Sequence, residues 1–161
     1  MKNIVKQAIS FILPITVLIV VPWCIEDHIS IKHATSAWIG ILLMGLGLYV
    51  MIITISTFIR IGNGTLAPWS STKKLITCGI YGYVRNPMIM GVLTVLIGES
   101  ITIASVNIVV WAMIFFIINN LYFKFYEEPD LEKKFGDDYR TYKKNVHRWI
   151  PGTKSFQPNA N

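Results

Sequence analysis

The 161-residue chain has little charge and little cysteine. Asp, Glu, Lys and Arg together make up 15% of it, against about 25% in an average soluble domain. Two cysteines, and eleven glycines without a repeat, exclude a disulfide scaffold and a collagenous fold. Hydrophobic residues reach 53%, which excludes disorder, because so apolar a chain does not stay solvated as an open coil. What is left is a single-domain protein whose solvent is largely lipid.

Long stretches of the chain carry no charge, and about 20 apolar residues cross a hydrocarbon core as a helix. The only charged residue between 86 and 123 is Glu99. We therefore predict an all-α integral membrane helical bundle with about four transmembrane helices. The predicted spans are 7–25, 37–59, 87–103 and 107–126. Hydropathy is equally compatible with a shorter hairpin in place of the last two spans.

The positive charges predict the orientation. Of the 15 Lys and Arg residues, all but Lys32 lie in the N-terminus, in the loop 60–85 or in the tail from Lys124 onward. Cytoplasmic loops carry the excess of Lys and Arg, so both termini, the loop and the tail are expected on the cytoplasmic side. The segments between them are too apolar to form a nucleic-acid groove. The expected partner is the lipid bilayer, and no metal site is predicted.

The tail carries an apolar stripe at helical spacing, formed by Leu131, Phe135, Tyr139, Tyr142 and Val146. This spacing of three and four residues is that of one helix face, with a possible interruption at Gly136. A helix resting on the membrane surface would explain it equally well. We divide the single domain 1–161 into two N-terminal spans (1–59), a core (60–152) and a frayed tail (153–161).

Three groups of residues could carry chemistry. Arg85 stands just before the third span, where a helix N-terminus favours a carboxylate, although an anchor to lipid phosphate is the simpler interpretation. Glu127 and Glu128 follow the fourth span, where adjacent acids need cationic partners unless they are solvated. Glu99 lies deep in an apolar region. It either reaches the outer interface or couples a proton, as in a small transporter.

The residues around these positions resemble the signature of the isoprenylcysteine carboxyl methyltransferase and phospholipid methyltransferase superfamily. One block is 73–91, which includes GIYGYVRNPMIMG, and the other begins at 127 with EEPDL and continues through FGDDY to the Trp-Ile-Pro at 149–151. An apolar hairpin separates the two blocks, and their order and spacing are similar to those of the family over about residues 60–152.

The resemblance implies an integral membrane methyltransferase that uses S-adenosylmethionine and releases S-adenosylhomocysteine. The cofactor contacts that it implies are Lys73, Lys74, Leu75, Ile76, Tyr81, Asn86, Pro87, Met88, Ile89 and Glu127. Arg85 and the helix start after it would hold the polar end of the cofactor, and Glu127 would pair with its ammonium or ribose hydroxyls. Arg85 and Glu128 are the implied catalytic residues, with Glu128 supporting Glu127 and serving as base if the acceptor is an amine.

The chain departs from the family pattern at three positions. It has Asn86 where the family often has His, Ile89 where it often has Tyr, and Phe123 where the carboxyl-methylating branch has Arg. The acceptor therefore stays open among an isoprenylcysteine-like carboxylate, a phospholipid amine and a small apolar thiol, all lipophilic. The alternatives from other classes are a four-helix transporter that uses Glu99 and a non-catalytic membrane scaffold.

Overall fold

The computed structural model describes residues 12–26, 31, 34–62 and 74–157. In these ranges the chain is helical and forms no strand, as the sequence predicts. The helices are α1 (Ile12–Ile25), α2 (Ala34–Gly62), α3 (Pro87–Ile103), α4 (Val106–Tyr122) and α5 (Glu128–Asn145). A short 3₁₀ turn, Gly79–Gly82, precedes α3, and a π turn, Phe123–Glu127, joins α4 to α5.

Two of the helical runs are long and apolar enough to cross a membrane. They are Ala34–Ile61 and Val106–Asn145, whereas Ile12–Ile25 and Pro87–Ile103 are shorter apolar helices. The apolar part of the longest run ends at Phe123, because Lys124 begins its charged half. Four spans therefore remain a prediction.

The turn between the third and fourth helices falls where the sequence places it. Ala104, the residue after α3, ends the helix with a left-handed backbone at φ 51°. Ser105 then caps α4 by accepting a hydrogen bond from the Ile108 N–H at 3.1 Å. The side chain of Ser105 also donates to Glu26 at the end of α1. These contacts place the end of α1 and the α3–α4 turn at the same end of the bundle.

Helices α2 and α3 pack antiparallel, and their backbones approach each other closely. A Cβ built on Gly47 would lie 2.6 Å from the Gly91 carbonyl oxygen, and one built on Gly98 would lie 2.6 Å from the Gly40 carbonyl oxygen. Each helix thus carries two glycines seven residues apart on its contact face. Small residues of this kind let membrane helices approach backbone to backbone, where dispersion and close packing hold them together.

The apolar stripe of the tail lies on one face of α5, as predicted, but it packs against the protein itself. Tyr139, Tyr142 and Val146 are buried and contact Leu75 and Phe156. Gly136 interrupts the helix with φ 54° and ψ −126°, a conformation that suits glycine because it lacks a Cβ. The expectation of a frayed tail from residue 153 is wrong at Phe156, whose N–H bonds the Gly82 carbonyl at 2.9 Å. Residues 158–161 lie outside the described ranges.

Candidate functional site

Arg85 and Glu128, which are 43 residues apart in sequence, form a buried ion pair. The Arg85 Nη1 lies 2.8 Å from the Glu128 Oε1, and the two side chains are 11% and 7% exposed. The same Nη1 lies 3.3 Å from the Tyr139 hydroxyl. The loop before α3 and the acidic pair after α4 therefore meet, as predicted from the sequence.

Glu128 holds two further cations. Arg148 approaches its Oε1 with Nη2 at 2.6 Å and Nε at 2.8 Å, and the Lys143 Nζ lies 3.0 Å from its Oε2. Burial alone would raise the pKa of Glu128, but Lys143, Arg85 and Arg148 outweigh it and lower the pKa below its usual value. A carboxylate engaged in this way has a structural role and is poorly suited to accept a proton.

Glu127 stands next to Glu128 but has the opposite environment. It is half-buried, and among the described residues no cation lies within 4 Å of it, while all five cation–carboxylate contacts involve other acids. Burial, followed by the charges of Glu128 and Asp130, raises the pKa of Glu127 to about 7. Glu127 is thus a carboxylate without a counter-ion at the junction of the apolar and charged halves of a long helical run.

The π turn Phe123–Glu127 explains why these two adjacent carboxylates have different surroundings. A π turn inserts one residue into the helical register, and such turns are frequent at functional sites. Phe123 is buried in the apolar core and Glu128 among the cations, while residues 124–126 between them are exposed and Glu127 is half-buried. The helix therefore changes its buried face from apolar to polar within one turn.

The segment 79–86 forms the opposite wall. Gly79 has φ 60° and starts the 3₁₀ turn, in which the Tyr81 carbonyl accepts a hydrogen bond from the Tyr142 hydroxyl at 2.7 Å. Burial and the nearby charge of Glu127 raise the pKa of the Tyr81 hydroxyl. Asn86 precedes α3 without a side-chain capping bond. Its side chain is only half-buried, so its amide is available to a ligand.

The C-terminal segment 146–157 lies along this wall and fixes it. The Arg85 N–H donates to the His147 carbonyl at 3.0 Å, and the Gly152 N–H donates to the Tyr83 carbonyl at 2.8 Å. On the other side Asn120 of α4 accepts from Arg148 at 2.9 Å and from the Trp149 ring N–H at 3.2 Å. The segment therefore ties the loop before α3 to the end of α4.

The other predicted cofactor contacts differ in burial and in whether their side chains can face the site. Leu75 packs against the α5 cluster and Ile76 is buried, whereas Lys74 is exposed. Pro87 is fully buried. Met88 and Ile89 direct their side chains into the apolar core, so only their backbone is placed to face the site. Lys73 lies outside the described residues.

One polar atom of the site has no partner. The Arg85 Nε is buried and makes no hydrogen bond to any residue that the structure describes. Unpaired buried donors are rare and costly in proteins. The site thus presents a free donor on Arg85 and a free carboxylate on Glu127. Within the described part of the chain, no group of three His, Cys, Asp or Glu side chains is placed to hold a metal ion.

Comparison with known proteins identifies the family. The family model described as phospholipid methyltransferase matches residues 35–138. The chain belongs to this family. A protein of Haemophilus influenzae described as uncharacterised is 33% identical over 63 residues, which are 39% of this chain and all of that protein. No solved structure matches the chain significantly.

The family assignment makes this protein a methyltransferase. It belongs to the group of membrane enzymes whose signature the sequence motifs resemble. It gives no support to the transporter or to the scaffold alternative. The family match ends at residue 138, yet Lys143 and Arg148 of the site lie beyond it. Sequence reasoning missed both of these residues and Asn120 as well. The only signal for the two cations was the excess of positive charge in the tail, which does not single out a partner for Glu128.

Proposed function

We propose that the protein transfers a methyl group from S-adenosylmethionine to a lipophilic acceptor that enters from the membrane, and that the cofactor binds between Arg85, Glu127 and the loop 79–86. Membership of the phospholipid methyltransferase family supports the reaction class. The observation that supports the location is the pair of unsatisfied groups on Arg85 and Glu127.

The two free groups fit the amino-acid end of S-adenosylmethionine. That end carries one carboxylate and one ammonium group. The buried Nε–H of Arg85 would donate to the carboxylate, in a charge-assisted hydrogen bond. Glu127 would accept from the ammonium group, which would relieve the cost of its unpaired charge. Because Arg85 already binds Glu128 through Nη1, its guanidinium is held in place before any ligand arrives.

The remaining residues of the site would orient and shield the reaction. When bound, the cofactor supplies an electrophilic methyl group, so the protein's contribution is chiefly positioning. Tyr81, Leu75 and Ile76 would pack around the adenosine, and the start of α3 at Asn86 would offer backbone N–H groups. Exposed apolar side chains on α4, among them Ile117 and Leu121, would leave a lipid-facing route to the site.

The geometry argues against Glu128 as the base that an amine acceptor would need. Glu128 is engaged by three cations and its pKa is lowered, so it takes up a proton poorly near neutral pH. Burial and neighbouring charges raise the pKa of Glu127 to about 7 in the free protein, but pairing with the ammonium group of the cofactor would lower it again, so Glu127 is assigned to the cofactor and not to the proton. A phospholipid amine is the acceptor that the family name suggests, and a carboxylate or thiolate acceptor would need no base.

Calorimetric titration of the purified protein with S-adenosylhomocysteine tests the proposal. We expect saturable binding that is weakened at least tenfold in Arg85→Lys, which keeps a cation beside Glu128 but lacks the Nε–H, and in Glu127→Gln. Asp138→Asn removes an exposed acid from α5 and should bind like the wild type. Equal binding by all four proteins would refute the assignment of the site, and no binding by the wild type would refute the cofactor.

A further inference from the structure

A second feature of the charged end of the molecule lies on the outer side of Glu128. It is an open cleft of about 320 Å³ between the π turn and α5. Six charged side chains line it: Lys124, Glu128, Glu132, Lys133, Arg140 and Lys143. Four of them are cations and two are anions, so the lining carries a net positive charge.

The cations of the cleft differ in whether they form ion pairs with acidic side chains. Arg140 binds Glu132 at 2.7 Å and Asp137 at 3.1 Å, and Lys143 binds Glu128 at 3.0 Å. Lys124 and Lys133 have no acidic group within 4 Å among the residues that the structure describes, although both are exposed to the cleft side of the helices. Two ammonium groups are therefore left to attract an anion.

The position of the cleft, at the end of the apolar part of the α4 run, indicates the source of that anion. Lys124 is the first charged residue after the apolar part of the α4 run, which is the level at which lysines meet lipid headgroups. Ile117 and Leu121 before it and Phe125 after it are apolar residues spaced four apart, with exposures of 53%, 49% and 61%, and form an apolar stripe. An acyl chain lying on this stripe would bring its own phosphate to Lys124.

We propose that this cleft is a binding site for the phosphate of an anionic phospholipid, held by Lys124 and Lys133 with its acyl chain on the Ile117–Leu121–Phe125 stripe. The recognising chemistry is two ammonium groups for a phosphate oxyanion, and the stripe distinguishes a lipid from free phosphate. The cleft lies on the outer side of Glu128 from the cofactor site proposed above, and its acyl stripe overlaps the proposed acceptor route at Ile117 and Leu121.

The test uses the full-length protein in a neutral detergent and the anisotropy of a fluorescent short-chain phosphatidylglycerol. The variant is Lys124→Gln/Lys133→Gln. Its control, Lys144→Gln/Lys154→Gln, removes two exposed lysines outside the cleft. Each basic residue near an anionic surface contributes a factor of about five, so we expect roughly 25-fold weaker lipid binding in the variant and at most a fewfold change in the control.

Competition with unlabelled ligands distinguishes an anionic lipid from free phosphate and from a neutral lipid. Unlabelled phosphatidylglycerol should displace the probe, whereas inorganic phosphate and phosphatidylcholine should compete at least tenfold less well. Equal losses in the variant and its control, or competition by phosphate as strong as by lipid, would overturn the proposal. So would displacement of the probe by saturating S-adenosylhomocysteine, because the cleft would then belong to the cofactor. The melting temperature checks the fold of each variant, so lipid binding is judged independently of cofactor binding.

Discussion

The two adjacent acids Glu127 and Glu128 should respond in opposite ways to the same substitution. Glu128→Gln keeps the shape of the side chain but removes the charge that Arg85, Lys143 and Arg148 share. Arg85 and Arg148 are only 11% and 18% exposed, so two guanidinium groups would be left in a poorly solvated place. Removing one partner of a buried ion pair costs about 3–5 kcal/mol.

The isosteric amide retains one acceptor oxygen, so we expect a loss at the lower end, about 3 kcal/mol. One kcal/mol corresponds to about 2–4 °C in melting temperature for a chain of this size. Glu128→Gln should therefore melt about 6–12 °C below the wild type. Glu127→Gln removes a half-buried charge that has no cationic partner, so it should melt within about 2 °C of the wild type or above it.

The assay is thermal unfolding of the detergent-solubilised protein, followed by calorimetric titration with S-adenosylhomocysteine. Glu127→Gln should keep its stability and lose roughly 10- to 100-fold in affinity, because a hydrogen bond to a charged group contributes about 1.5–3 kcal/mol. Similar melting temperatures for the two variants would refute the structural role of Glu128. An unchanged affinity in Glu127→Gln would refute the ligand role of its neighbour.

Three further outcomes follow from the structure. Gly47→Ala should lower the melting temperature by several degrees, because its new Cβ meets backbone of α3 at 2.6 Å, whereas Gly45→Ala, with nothing within 4 Å, should be neutral or stabilising. Affinity for S-adenosylhomocysteine should rise between pH 6 and 8 as Glu127, with a pKa of about 7, ionises. The stability of the unliganded protein should fall as the pH rises from about 4.5, the ordinary pKa of the carboxyl group, to about 7 and stay level above it, since a carboxyl group whose pKa is raised on folding favours the folded state most when protonated. Asn120→Ala should speed tryptic cleavage of the C-terminal segment, which it anchors through two hydrogen bonds, whereas Asn119→Ala, which loses one bond within α4, should not.

The sequence alone predicted most of the helical framework, because a membrane helix is defined by properties that are local to the chain. Uninterrupted apolar length predicted α2 and α4, and the last apolar region was divided between 103 and 107 because it is too long for one crossing. The period of the apolar side chains predicted the buried face of α5, and Gly136 predicted its interruption. None of these required knowledge of a distant contact.

Tertiary structure decided what each face packs against. Hydropathy could not show that the α5 stripe contacts Leu75 instead of lipid, since both surroundings are apolar. The glycine pairs that join α2 to α3 have no side chain to signal a partner, and their register depends on the whole length of both helices.

Glu127 and Glu128 show the same contrast between what the sequence determined and what the tertiary structure decided. The sequence could single out Glu127 and Glu128 as costly charges beside an apolar run, and the family resemblance implied different roles for them, but neither showed which of the two is paired with cations. Only the fold brings Arg85, Lys143 and Arg148, from 43 residues before and up to 20 residues after, to one of the two carboxylates. Electrostatic energy depends on distance in space, so the separation into a paired and an unpaired acid became visible only when the chain was folded.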